Sequence, residues 1–164
     1  GKGGSKRSYM ASMLAEDRQA DVVCIQEPGL AGQIAPVIVS NVLGDNRFIL
    51  HGSSPGDPLA HGVAIAVHSS WSILRVLRDE GGCRALGTLI EKDEGNQRML
   101  IVNLYLPTNL DRLDASSTGV VEATRLCALA HKWIRAYRKE AYDNVVVCGD
   151  LNQTLLPQLS PLGV

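Results

Sequence analysis

The sequence predicts an α/β domain: a mixed sheet, or two packed sheets, with helices outside. Three observations carry this. Residues 21–26 (D-V-V-C-I-Q) and 144–148 (N-V-V-V-C) are continuous apolar runs of strand type, the pattern of strands buried on both faces. Between them, four strand-type segments are joined by short turns. A long amphipathic helix then separates the last of these from residues 144–148. That strand, helix, strand order is a crossover unit, so its two strands should be parallel. At 164 residues the chain suits one domain, residues 1–164, with enough length for a real core.

Each element follows from local pattern. Residues 8–19 read as a short helix, with Tyr9, Met10, Met13 and Leu14 at helical spacing. Residues 21–26 are the first strand, ended by Pro28 and Gly29. Residues 34–42 are a weaker helix candidate. Residues 47–51 suggest a short strand, and 52–58 (G-S-S-P-G-D-P) a loop. Residues 62–67, 72–77, 85–91 and 99–106 favour strands, with turn chemistry at 68–70, 79–82 and 93–96. Such spacings predict antiparallel neighbours in a meander. After a polar loop, 108–119, the helix over 120–141 carries an apolar stripe of Leu126, Leu129, Ala130, Trp133, Ile134 and Tyr137.

Composition narrows the partners. Net charge is −1, which argues against a strongly basic nucleic-acid coat but leaves a local basic rim open. Phe48 is the only phenylalanine, so the core must be built from Val, Ile, Leu and Ala. The four cysteines Cys24, Cys83, Cys127 and Cys148 form no C-x-x-C pair, which disfavours structural zinc. Cys24 and Cys148 lie in apolar runs and read as small buried thiols. An intracellular location, nucleus or cytoplasm, is the expectation, because an even cysteine count is weak evidence for disulfides at this size. No run approaches the ~20 apolar residues of a membrane helix, and residues 1–7 lack the apolar stretch of a signal peptide.

The chemistry gathers where three apolar strands stop. The first ends in Gln26-Glu27, the second in Asn103, Tyr105, Pro107 and Thr108, the third in Gly149-Asp150-Leu151-Asn152. In open α/β sheets, ligands bind at the carboxyl ends of strands. Asp150 and Asn152 are two apart, so in extended chain they point to one side. Carboxylates brought together there repel unless a cation neutralises them. Oxygen ligands favour Mg²⁺, which one or two carboxylates hold together with water and substrate phosphate. Singly, each residue has a plainer reading. Glu27 can be a solvated strand end, G-D-x-N an Asx turn, and Tyr105 a core residue with its hydroxyl at the surface. Three strand ends in this order favour function.

These motifs resemble the endonuclease/exonuclease/phosphatase superfamily. The matches are D-V-V-C-I-Q-E (21–27), G-V-A-I-A-V (62–67), L-I-V-N-L-Y-L-P-T (100–108) and V-V-V-C-G-D-L-N (145–152). The resemblance implies a four-layered α/β sandwich, two sheets face to face with helices outside. It implies Mg²⁺, or Mn²⁺ in its place, and roles for individual residues. Glu27 matches the metal-binding glutamate and Asp150 the aspartate that activates water. Asn152 and Tyr105 match residues that hold phosphate. Thr108 and His61 are further substrate-facing candidates. Gln26 to Pro28 and the Y-L-P-T segment look most like the DNA endonuclease domains of non-LTR retrotransposons. DNA is then the expected partner. Inositol phosphates and phospholipids are the alternative substrates, and a non-catalytic interaction module is the alternative role.

The family pattern also has an asparagine-bearing strand before the first helix and an Asp-His pair on a late strand. Neither motif is in these 164 residues. The expectation is therefore a domain incomplete at both ends, with doubtful activity as written. Its open sheet edges suggest a homo-oligomer. His51, His68 and His131 are the other histidines, and His131 falls within the long helix. Lys2, Lys6 and Arg7 suit either a phosphate rim or a solvated terminus. Arg125, Lys132, Arg135 and Lys139 read as a solvated helix face.

Overall fold

The structure, a computed structural model, describes residues 20–28, 34–38, 48–53, 62–108 and 117–152. Eight strands and one helix lie in these residues: β1 (Val22–Gln26), β2 (Ile34–Ile38), β3 (Phe48–Ser53), β4 (Val63–His68), β5 (Ser72–Arg78), β6 (Ala85–Lys92), β7 (Gln97–Tyr105), α1 (Thr118–Tyr137) and β8 (Val145–Asp150). The helix expected over 8–19, the lysines and arginine before it, and His61 lie outside the described residues.

The strands form two sheets, in the orders β1-β4-β3-β2 and β5-β6-β7-β8. Every pairing is antiparallel except β7 with β8, which is parallel, as the crossover predicts. The sheets pack face to face. Val63, Ile65 and Val67 of β4 meet Leu86 and Ile90 of β6 and Ile101 and Tyr105 of β7. The alternate residues of β6 and β7, among them Ala85, Leu89, Leu100, Val102 and Leu104, face away from this interior. They pack on Leu126, Ala130 and Trp133 of α1. Period-two alternation therefore divides one sheet between two cores. The stripe predicted for the helix is its packing face, with Leu129, Ile134 and Tyr137 at its margin. Its first turn is capped by Ser117, whose hydroxyl accepts from the Val120 amide at 3.3 Å.

Two expectations are corrected. Residues 34–38 form strand β2, not a helix. Pro36 contributes to this: it disfavours helical backbone at the residue before it, Ala35, and pushes it towards extended chain. β2 is an edge strand, where proline is tolerated, and its register with β3 shifts between Ile34 and Val37. The second correction concerns the meander. β5, β6 and β7 are consecutive antiparallel neighbours, but β4 belongs to the other sheet. Both edges of β4 are occupied, by β1 and β3. A tight turn, with the Trp71 amide donating to the His68 carbonyl at 2.9 Å, carries the chain across. The Trp71 indole donates to the Asp21 carboxylate at 2.9 Å and ties the crossing to the start of β1. Among the described residues no helix is long and apolar enough to cross a membrane.

Candidate active site

Strand pairing sets the site. In the register of β7 with β8, Tyr105 lies beside Asp150 and Asn103 beside Cys148. The interior face of β7 carries Ile101, Asn103 and Tyr105, so its last two positions put polar groups into the space between the sheets, towards β1. Asn103, with no exposed surface, stitches three strands together. Its amide nitrogen donates to the carbonyls of Ile25 at 3.1 Å and Ala64 at 3.0 Å. Its oxygen accepts from the Gln26 side chain at 2.6 Å. β1 is thereby locked against β7, with Glu27 just beyond its end.

At that end the Tyr105 hydroxyl donates to the Glu27 carboxylate at 2.7 Å. This bond, then burial, then the negative charge of Glu27 hold the phenol above its usual range. Arg84 opposes the shift and Asp150 adds to it. Tyr105 is therefore a neutral donor within electrostatic reach of both carboxylates. The Asp150 carboxylate accepts from the Asn152 amide at 2.9 Å, an Asx turn that aims it. The Asn152 side chain donates to the Leu106 carbonyl at 2.7 Å, and the Leu106 amide to the Asp150 carbonyl at 2.9 Å.

The backbone is unusual at the same points. Glu27 has φ 51° and Asn152 has φ 47°, left-handed conformations that non-glycine residues rarely adopt. Asp93, Glu94, Tyr142 and Asp143 share the conformation in the turns that follow β6 and α1, so it is the convergence of side chains and not the backbone that marks the site. The Glu27 amide donates to the Gly62 carbonyl at 2.9 Å and holds this turn.

Of the six residues singled out from sequence, four converge: Glu27, Tyr105, Asp150 and Asn152. Thr108 is exposed, three residues beyond Tyr105. One residue was missed. Arg84 lies opposite Tyr105, its guanidinium 5.0 Å from the ring centroid and donating to the Tyr105 carbonyl at 3.4 Å. The hairpin register contains the signal: Lys92 pairs with Gln97, and counting outward places 84 against 105.

No protein-family model and no curated protein matches the chain. Solved structures do. ANGEL2, a 2′,3′-cyclic phosphatase in complex with adenosine-2′,3′-vanadate, superposes with TM-score 0.63 and 18% identity, over 93% of this chain and 45% of that one. Humanized D. rerio TDP2 gives 0.60 and 16%, over 91% and 59%. The human Nocturnin catalytic domain with bound sulfate gives 0.55 and 15%, over 93% and 58%. The chain has the endonuclease/exonuclease/phosphatase fold. It spans about half the length of these structures.

Proposed function

We propose that this chain belongs to a divalent-metal-dependent phosphodiesterase domain that cuts DNA, of the retrotransposon endonuclease kind. One observation carries the reading: Glu27, Tyr105, Asp150 and Asn152 converge at the carboxyl ends of three strands from two sheets. The likeness to a cyclic phosphatase bound to a nucleotide vanadate, and to a domain with bound sulfate, supports phosphoester chemistry on this scaffold.

The donor set fits a hard cation. Among the described residues no three His, Cys, Asp or Glu side chains enclose an ion. An open site of one or two carboxylates suits Mg²⁺, which keeps its waters and shares substrate phosphate. Glu27 would hold the ion. When bound, such an ion stabilises charge on a phosphoryl oxygen.

The remaining steps belong to the chain's own groups. Tyr105 donates to Glu27 and fixes the carboxylate's direction. Asp150, aimed by its Asx turn, orients a water and accepts its proton. Arg84 supplies positive charge beside the phenol for a phosphate oxygen. Asn152 and Thr108 would hydrogen-bond the same group.

The test is Mg²⁺-dependent nicking of supercoiled plasmid. Asp150→Asn and Glu27→Gln are each expected to lose at least ~100-fold, and chelation to abolish cutting. Nicking unchanged in Asp150→Asn would overturn the reading. A second reading, a non-catalytic interaction module, is favoured by where the described histidines lie. His51 bonds to Thr88, His68 to Ser70, and His131 is exposed on α1. It predicts no cutting by the wild-type protein.

A further inference from the structure

Cys24 and Cys148 come from strands of different sheets. In its sheet β1 is an edge strand, and so is β8 in the other. Cys24 pairs in register with Ile65, an interior residue of β4, and Cys148 with Asn103, whose side chain reaches across to β1. Both cysteines therefore sit on the inner faces of facing edges, and both pack against the intersheet core. The Cys148 thiol reaches the Val102 carbonyl at 3.6 Å, and the neighbouring Cys148, with burial, pushes the Cys24 thiol above its usual range. Both are free thiols and neither is fully buried, so a small oxidant has access.

We propose that Cys24 and Cys148 are an oxidisable dithiol that closes, under hydroperoxide, into a disulfide stapling the two sheets. It does not depend on the hydrolytic reading of the site. The chemistry balances. The Cys148 sulfur attacks one peroxide oxygen, the O–O bond breaks, and a sulfenic acid and one water result. The Cys24 sulfur then attacks the Cys148 sulfur, forming the S–S bond and releasing a second water. Two thiols are oxidised and one peroxide is reduced. Cys148 is the first attacker because the neighbouring Cys24 holds its thiol below the usual range. The disulfide brings the sulfurs to about 2.05 Å. The staple lies three residues before Glu27 and two before Asp150, directly beneath the strand ends.

The test uses the native protein treated with hydrogen peroxide, followed by mass spectrometry without reduction. The expected product is lighter by two hydrogens, yields one cross-linked peptide joining 24 and 148, and reverts with dithiothreitol. Closing so long a loop should raise the melting temperature by about 10 °C. A Cys83→Ser, Cys127→Ser double variant is expected to behave the same. Sulfinic acid at Cys148 without a cross-link would overturn the proposal, and so would a disulfide formed only through Cys83 or Cys127.

Discussion

At Gly149 the backbone holds φ 139°, and a Cβ placed there would sit 1.8 Å from the Leu104 carbonyl oxygen. No side chain can make that approach without separating β8 from β7. Gly149→Ala is expected to destabilise the fold by more than ~3 kcal/mol, read as the midpoint shift in urea unfolding. A change below ~1 kcal/mol would mean that the strands can part there at little cost. The sequence shows a glycine before Asp150 and hints at close approach, but only the pairing names Leu104 as the neighbour. Asn103 is similar. It stands out as a polar residue in L-I-V-N-L-Y, yet its role depends on β1 and β4, some 78 and 39 residues away. Asn103→Ala leaves the Ile25 and Ala64 carbonyls and the Gln26 amide short of partners in the interior. The expected loss is about 2–4 kcal/mol, larger than a surface asparagine would give, and differential scanning calorimetry would read it.

At the scale of elements, α1 was legible because its stripe repeats at helical spacing over about three turns, and packing follows that stripe. β2 was not, because a short apolar stretch does not discriminate strand from helix by periodicity alone. Pro36 tilts the balance towards extended chain. What also escaped the sequence is how α1 is pinned. Arg125 reaches the turn between β5 and β6, with both guanidinium nitrogens 2.7 Å from the Asp79 carboxylate. It also bonds Glu122 at 2.8 Å, which lowers the Glu122 carboxyl below its usual range. The reading of Arg125 as part of a solvated face is corrected accordingly. The Asp79 side chain is 1% exposed, so Arg125→Met strands a buried charge. Removing one partner of such a pair costs about 3 kcal/mol. Asp79→Asn in the same background should recover part of it, because the unpaired charge is gone. Thermal unfolding of the two variants checks the order: equal midpoints would show that Asp79 is solvated rather than buried.

The described residues form two sheets held face to face, as the resemblance implied, and which strand joins which sheet was the least legible part. Continuous apolar runs predict burial on both faces, but β1 and β8 are edge strands and Val146 and Val147 are exposed, because local pattern does not say which sheet each strand joins. β4 shows the limit: its runs and turns suit a meander, and its pairing with β1 and β3 decides otherwise. His51 of β3 now gains a whole-molecule role. It is fully buried, and its Nε2 lies 2.6 Å from the Thr88 hydroxyl of β6, a polar link between the sheets. Burial, reinforced by the positive charge of Arg78, pushes its pKa down from 6.5 to about 4. The unfolded chain therefore takes up the proton first as pH falls. Between pH 6.5 and 4 it binds more protons than the folded protein, so stability decreases through that window. The full loss is about 3 kcal/mol, reached near the lower pKa and absent above the upper one. Urea unfolding at neutral pH and near pH 4 would read it. His51→Gln is expected to lower stability at neutral pH but to flatten this part of the slope, since an amide does not titrate. A slope that survives the substitution would move the acid sensitivity away from the sheet interface and onto the surface carboxylates.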